Sequence, residues 1–160
     1  MVDALSEGDP AGVMRSFAEP ASESDLARQR TWIDACYSAP GVEEILVRLR
    51  QHDEAASSAA KEIEGKSPTA LKVTLRALRS AAELPDLETV LAQEFRVSTA
   101  ALHIPDFAEG IRARIIDKDR TPAWSPATLA EVTDERVESF FAPLGAEEWT
   151  ATRSATTSGR

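Results

Sequence analysis

Cysteine is nearly absent from this chain: Cys36 is the only one. A single thiol closes no intramolecular disulfide and lacks the spaced partners of a zinc site. It is expected to be an inert buried thiol in a reducing, cytoplasmic compartment. Aromatic residues make up 6% of the chain, too few for a broad surface that stacks nucleobases. Basic residues are also short, with Lys+Arg 18 against Asp+Glu 27 and a formal net charge of -9. Such a surface repels a phosphate backbone, so nucleic acid is not an expected partner. No apolar run approaches the roughly 20 residues of a membrane-spanning helix. The opening Met1-Val2-Asp3, with Glu7 and Asp9 close behind, has no basic and then apolar segment of a secretory signal. Alternation of Val, Ile, Thr and Tyr is missing, so no strand is expected. There is no internal repeat.

What remains is an ordinary globular composition, 42% apolar and 28% charged over 160 residues, enough for one domain with a modest core. The pattern predicts helices punctuated by proline and glycine. A first helix over residues 10–18 stops before Pro20. Ser24 caps a second that runs to Tyr37, with Leu26, Ile33, Cys36 and Tyr37 on one side. Val42, Ile45, Leu46 and Leu49 follow the i, i+3, i+4, i+7 spacing of an amphipathic helix, with Glu44 and Arg48 paired on its wet face. An alanine-rich helix follows over residues 54–64 and stops at Gly65. Ser67-Pro68 starts the next, with serine as N-cap and proline at the first helical position. Leu71, Leu75, Leu78 and Ala82 form its expected core stripe, leaving Lys72, Arg76 and Arg79 outward.

Asp86 caps a helix to about Leu102. At about 100° per residue, Leu87, Val90, Leu91, Ser98 and Ala101 share one stripe, with Glu94 at its centre. Asp106 and Glu109 are spaced like a capping box for a helix on which Phe107, Ile111 and Ile115 repeat every four residues. Pro122, Trp124 and Pro126 mark an extended segment, and a last short helix holds Val137, Phe140 and Phe141. The tail, residues 150–160, is small and polar and is expected to be disordered. Several apolar stripes are narrow, which suggests that some helices depend on a partner surface outside the chain.

Two stretches carry a family resemblance. The first is Ser67-Pro68-Thr69-Ala70-Leu71-Lys72-Val73-Thr74-Leu75-Arg76. The second runs from Asp106-Phe107-Ala108-Glu109-Gly110-Ile111-Arg112-Ala113 through Ile116-Asp117-Lys118-Asp119 to Pro122-Ala123-Trp124. Together with Gln93-Glu94-Phe95-Arg96 between them, they resemble the late helices of the crotonase (enoyl-CoA hydratase/isomerase) superfamily, in its 3-hydroxyisobutyryl-CoA hydrolase branch. Ile33 to Leu49 is similar to the helical insertion of that branch. The resemblance covers about Asp9 to Trp149. It implies a mainly α chain, residues 1–149, forming the helical C-terminal part of a crotonase-type α/β fold whose N-terminal spiral core is absent from this chain.

It also implies an acyl-CoA thioesterase of valine breakdown, with coenzyme A as part of the substrate and no separate cofactor. In that family the backbone oxyanion hole and the catalytic carboxylates come from the N-terminal half, and neither matches a position here. The expected partners are therefore an acyl-CoA, the N-terminal half of the enzyme from the same gene or a separate chain, and a further copy in a homo-oligomer. Lys118 matches the lysine that meets a CoA phosphate in related hydratases, and Ile115 the residue that lines the adenine. The plainer alternative for Lys118 is a solvated cation at a helix C-terminus.

Glu94 is a weak catalytic candidate: a carboxylate on an apolar stripe is expected to be desolvated, either near the thioester or in a structural ion pair. Arg112 and Arg114 contact either CoA or the nearby acids Asp106 and Glu109. Trp124 is expected to pack against the body of the domain. His52 and His103 lie far apart, no serine sits in a nucleophile elbow, and no metal site is expected. Two rival readings stand beside the hydrolase: a non-catalytic helical module that docks on crotonase enzymes, and an enoyl-CoA hydratase or isomerase of the same superfamily.

Overall fold

A computed structural model of the chain describes residues 10–19 and 22–149. The expected tail at 150–160 lies outside the described residues. The chain separates into two compact units, one ending at Asp34 and the other beginning at Ala35. Among the described residues there is no strand, and no helix is long and apolar enough to cross a membrane.

The first unit holds α1 (Pro10–Phe17) and most of α2 (Asp25–Tyr37). Ser24 caps α2 as expected, its hydroxyl accepting from Ala27 N at 3.1 Å. The expected apolar side of α2 divides: Cys36 is buried, whereas Leu26 and Tyr37 are exposed.

In the second unit, α3 (Val42–Gln51) buries Val42, Ile45, Leu46 and Leu49 as the spacing predicts. Glu44 and Arg48 pair at 2.5 Å on its outer side. Helix α4 (Glu54–Glu64) packs on α3 through its buried Ala56 and Ala60, and Asp53 caps it. Helix α5 (Pro68–Ala81) begins at Ser67, whose hydroxyl accepts from Ala70 N at 3.1 Å. Helix α6 (Leu87–Leu102) is capped by Asp86, and α7 (Pro105–Ile111) leads into a π-helical turn, Arg112–Ile116. A 3-10 turn at Leu129–Glu131 precedes α8 (Asp134–Ser139).

The core gathers Val73 of α5, Val132, and Val137 and Phe140 from the α8 region. Val97, Ala100, Ala101, Ile104 and Phe141 pack against it. Burying a side chain such as Phe140 contributes roughly 1.5–3 kcal/mol.

Two expected core stripes point largely the other way, although Ala101 of the expected α6 stripe does pack on the core. On α5 the buried residues are Thr69, Val73 and Ala77, while Leu78 is exposed and Leu71 and Leu75 are half-buried. At about 100° per residue these two sets lie on opposite sides of the helix. On α6 the inward side carries Gln93, Val97 and Ala100, and the outward side carries Leu87 (70% exposed), Leu91 (42%), Phe95 (40%) and Leu102 (60%). Both helices are apolar on two sides, and the smaller side chains permit the closer helix–helix approach. Glu94 consequently lies on the outward stripe and is exposed. The buried polar residue of α6 is its neighbour Gln93, which donates to Ala77 O at 3.1 Å and accepts from the Ser80 hydroxyl.

The cations of α5 are held within the fold. Lys72 pairs with Glu43 at 2.9 Å, Arg76 with Glu138 at 2.8 Å, and Arg79 donates to the carbonyls of Ala39 and Pro40.

Candidate functional site

A cleft of about 630 Å³ opens between the end of α4, the start of α5, and α7 with its π-turn. One wall is apolar, formed by Ile104, Phe107, Ile111 and Ile115. The expected four-residue repeat on α7 thus lines this cleft, with Ile115 66% exposed on it.

Trp124 also lines the cleft. Its indole N–H donates to Gly65 O at 3.2 Å. A Cβ built at Gly110 would lie 3.4 Å from the Trp124 ring, so α7 and the indole are already in contact there. The expected packing of Trp124 on the body of the domain takes this form.

Asp106 is buried at the base of the cleft. It is not the N-cap of α7: Pro105 occupies the first helical position and Ile104 is the N-cap, which carries no side-chain oxygen. The capping box expected from Asp106 and Glu109 therefore does not form. Instead Asp106 accepts from the Ser67 hydroxyl and from Ser125 N at 2.8 Å, joining the starts of α5 and α7 to the extended segment.

Glu109 and Arg112 form the strongest electrostatic feature. The guanidinium grips Glu109 through Nε at 2.9 Å and Nη2 at 2.7 Å, and its Nη1 reaches Asp117 at 2.7 Å and Asp119 at 2.6 Å. Glu109 also accepts from Ala123 N at 2.7 Å. The Arg112 hydrogen bonds, followed by that backbone N–H, pull the Glu109 carboxyl from 4.5 down to about 2. Thr121 N, followed by Arg112, holds Asp119 below its ordinary value. Glu109, Asp119 and Asp117, in that order, raise the Arg112 guanidinium above its ordinary value. Of the two contacts weighed for Arg112, the salt bridge to Glu109 is therefore the one formed. Among the described residues, no group of three metal-ligating side chains is placed to hold a metal ion.

Cations collect around the same cleft. Lys61, Arg114 and Arg120 line it, and among the described residues their side chains make no ion pair. Lys66 also lines it, 3.6 Å from Glu62. Lys118 stands on the following turn, exposed and outside the lining. It and Arg120 have left-handed backbone, at φ 57° and 59°. Glu94 lies on α6 and away from the cleft. His52 and His103 make only local contacts, to Asp53 and to Thr99 O.

Ile115 and Lys118 are legible in the sequence through the family resemblance, whereas Lys61, Lys66 and Arg120 join this neighbourhood through tertiary packing. The convergence of Asp117 and Asp119 on Arg112 is likewise a feature of the folded chain. The alternation Asp-Lys-Asp-Arg after the helix was the available signal.

Residues 2–141 match the family described as enoyl-CoA hydratase/isomerase. The mitochondrial 3-hydroxyisobutyryl-CoA hydrolase of Mus musculus is 40% identical over 89% of this chain, and that of Gallus gallus is 45% identical over 82%. A solved carnitinyl-CoA dehydratase from Mycobacterium thermoresistibile aligns with a TM-score of 0.81 at 46% identity over 93% of the chain. An enoyl-CoA hydratase from Rhodobacter sphaeroides aligns with a TM-score of 0.74 at 35% identity over 88%. The chain spans 38% of the mouse relative, 34% of the chicken relative and 43% of each solved structure.

The resemblance read from the two motif stretches is thus borne out. The expected cytoplasmic location is corrected: the relatives from mouse, rat, chicken and human are all named as mitochondrial proteins. A lone reduced thiol had suggested the cytoplasm, but it is equally at home in any reducing compartment. By sequence and by fold, the chain belongs to the enoyl-CoA hydratase/isomerase family.

Proposed function

We propose that this chain supplies the coenzyme A cleft of an acyl-CoA thioester hydrolase acting on 3-hydroxyisobutyryl-CoA, a step of valine catabolism. The observation that carries this reading is the cleft itself, where an apolar wall ending at Ile115 meets Lys61, Arg114 and Arg120, which make no ion pair among the described residues. A nucleotide with phosphates needs that combination: apolar side chains against the adenine, and point charges for the phosphate oxygens. Lys61, Lys66, Arg114 and Arg120 hold the anion in the cleft, Lys118 meets a phosphate at its edge, and Ile115 lies against the base. No separate cofactor is needed, because coenzyme A arrives as part of the substrate.

Hydrolysis adds water across the thioester carbonyl, breaks the C–S bond and leaves the free acid and the CoA thiol. Oxyanion donors for such a step are worth on the order of a hundredfold or more. In this proposal they come from the other half of the enzyme. That half seats against the outward stripe of α6, where Leu87, Leu91, Phe95 and Leu102 are exposed. A stripe this apolar on a helix already packed on its other side is suited to a second layer.

The test is thiol release from 3-hydroxyisobutyryl-CoA by this chain alone and mixed with the N-terminal half of a related hydrolase. Activity only on mixing is expected; activity by the chain alone, or silence in both with a folded chain, overturns the proposal. The dehydratase and hydratase names of the two solved neighbours favour one second reading, water addition to an enoyl-CoA. Loss of crotonyl-CoA absorbance without thiol release in the same mixture would select it.

A further inference from the structure

We propose that Arg112 is a positioning residue for phosphate capture: it shapes the loop that presents Lys118 and Arg120 at the cleft. The inference rests on the coenzyme A reading above.

Arg112 lies at the start of the π-turn, and its own carbonyl accepts from Asp117 N at 2.8 Å. Beyond that turn, acids and bases alternate as Asp117, Lys118, Asp119 and Arg120. The two aspartates turn inward onto one nitrogen of Arg112, at 2.7 and 2.6 Å. The two cations between and after them make no ion pair among the described residues. Further bonds close the loop: Arg120 N to Ala113 O at 3.0 Å, Thr121 N to Asp119 at 2.9 Å, and Arg112 Nη2 to Thr121 O at 3.2 Å.

The backbone at Lys118 and Arg120 is left-handed, at φ 57° and 59°, a conformation that side chains other than glycine rarely adopt. Such residues persist where the surroundings over-determine them. Here the surroundings are the Arg112 network. It also consumes Asp117 and Asp119, the carboxylates nearest in sequence to Lys118 and Arg120, which would otherwise neutralise them. Arg112 therefore never touches the phosphate; it keeps two neighbours available to do so.

The test compares the unaltered chain with Arg112→Gln and Asp119→Asn for binding of adenosine 3′,5′-bisphosphate and of adenosine, by NMR titration. Asp119→Asn keeps the Arg112–Glu109 pair and covers the case in which Arg112→Gln fails to fold. The expected result is a loss of about tenfold or more in bisphosphate affinity in Arg112→Gln, a smaller loss in Asp119→Asn, and adenosine binding unchanged in both. Equal bisphosphate affinity in all three overturns the proposal. So does a parallel loss of both ligands, which marks general damage to the cleft. If the unaltered chain binds neither ligand, the coenzyme A reading itself falls; if it binds the bisphosphate and the variants match it, only the role of Arg112 falls.

Discussion

The hydroxyl of Ser67 donates to the carboxylate of Asp106, across 39 positions of sequence, while its oxygen accepts from Ala70 N as the cap of α5. One side chain thereby closes a helix start and satisfies a buried charge at the base of the cleft. Ser67→Ala removes both. Loss of the cap costs about 1 kcal/mol, and loss of a hydrogen bond to a charged group about 1.5–3 kcal/mol more. The Ser67 hydroxyl and Ser125 N bond different carboxylate oxygens, so Asp106→Asn keeps an acceptor for one of them only, but it leaves the Ser67 cap of α5 in place and is expected to cost less. Urea denaturation of the two variants checks the order; equal costs would mean that the cap adds nothing to the bond between Ser67 and Asp106.

Low pH reaches the Glu109–Arg112 pair late. Glu109 is depressed from 4.5 to about 2, chiefly by Arg112. Its contribution to stability is therefore complete above the ordinary carboxyl value and is lost as pH falls through about 2. Between those values the unfolded chain takes up a proton that the folded chain refuses, so stability falls with pH. Glu109→Gln should flatten this part of the stability–pH curve, measured by chemical denaturation over about pH 5 to 2. An unchanged slope would show that the pair is not linked to folding.

The small core makes a clear demand on Phe140, which is buried with Val73, Val132 and Val137. Phe140→Ala should destabilise the chain by about 3–5 kcal/mol. Thermal unfolding measures it. A loss below about 1 kcal/mol would indicate that this end of the chain does not share the core of α5.

The outward stripe of α6 should behave in the opposite way. Leu87→Gln and Leu102→Gln remove exposed side chains and are expected to change the stability of the chain by no more than about 0.5 kcal/mol each. They should nevertheless weaken association with the N-terminal half of a related hydrolase, read by sedimentation or by thiol release on mixing. Strong destabilisation of the isolated chain would show that the stripe serves this chain's own core.

Local signals were legible in the sequence. Ser24, Ser67 and Asp86 hold helix starts where Ser or Asp precede a periodic run, because a cap is decided within a few residues. The α3 stripe was readable for the same reason: only one of its sides is apolar. The inward sides of α5 and α6 were not. Both helices carry two apolar sides, and periodicity alone favours the larger leucines over Val73, Ala77 and Ala100. Which side faces the local core depends on how closely helices approach, and that is set by residues distant in sequence.

The cleft was legible in part. Ile115 follows from the helical repeat and the family resemblance, whereas Lys61 and Lys66 enter from the end of α4, some fifty residues upstream, through tertiary packing alone. The capping role expected of Asp106 failed because the helix starts two residues sooner, at Pro105 with Ile104 as its N-cap.

The most direct measurement is a titration of isotopically labelled chain with coenzyme A, following backbone amides and the tryptophan indoles by NMR. The expected result is a set of shifts confined to the cleft and its rim: Ile111, Arg114, Ile115, Lys118 and the Trp124 indole. Shifts that map instead to the α6 stripe at Leu87 to Leu102, or no shifts at millimolar coenzyme A, would contradict the assignment of this cleft to the nucleotide.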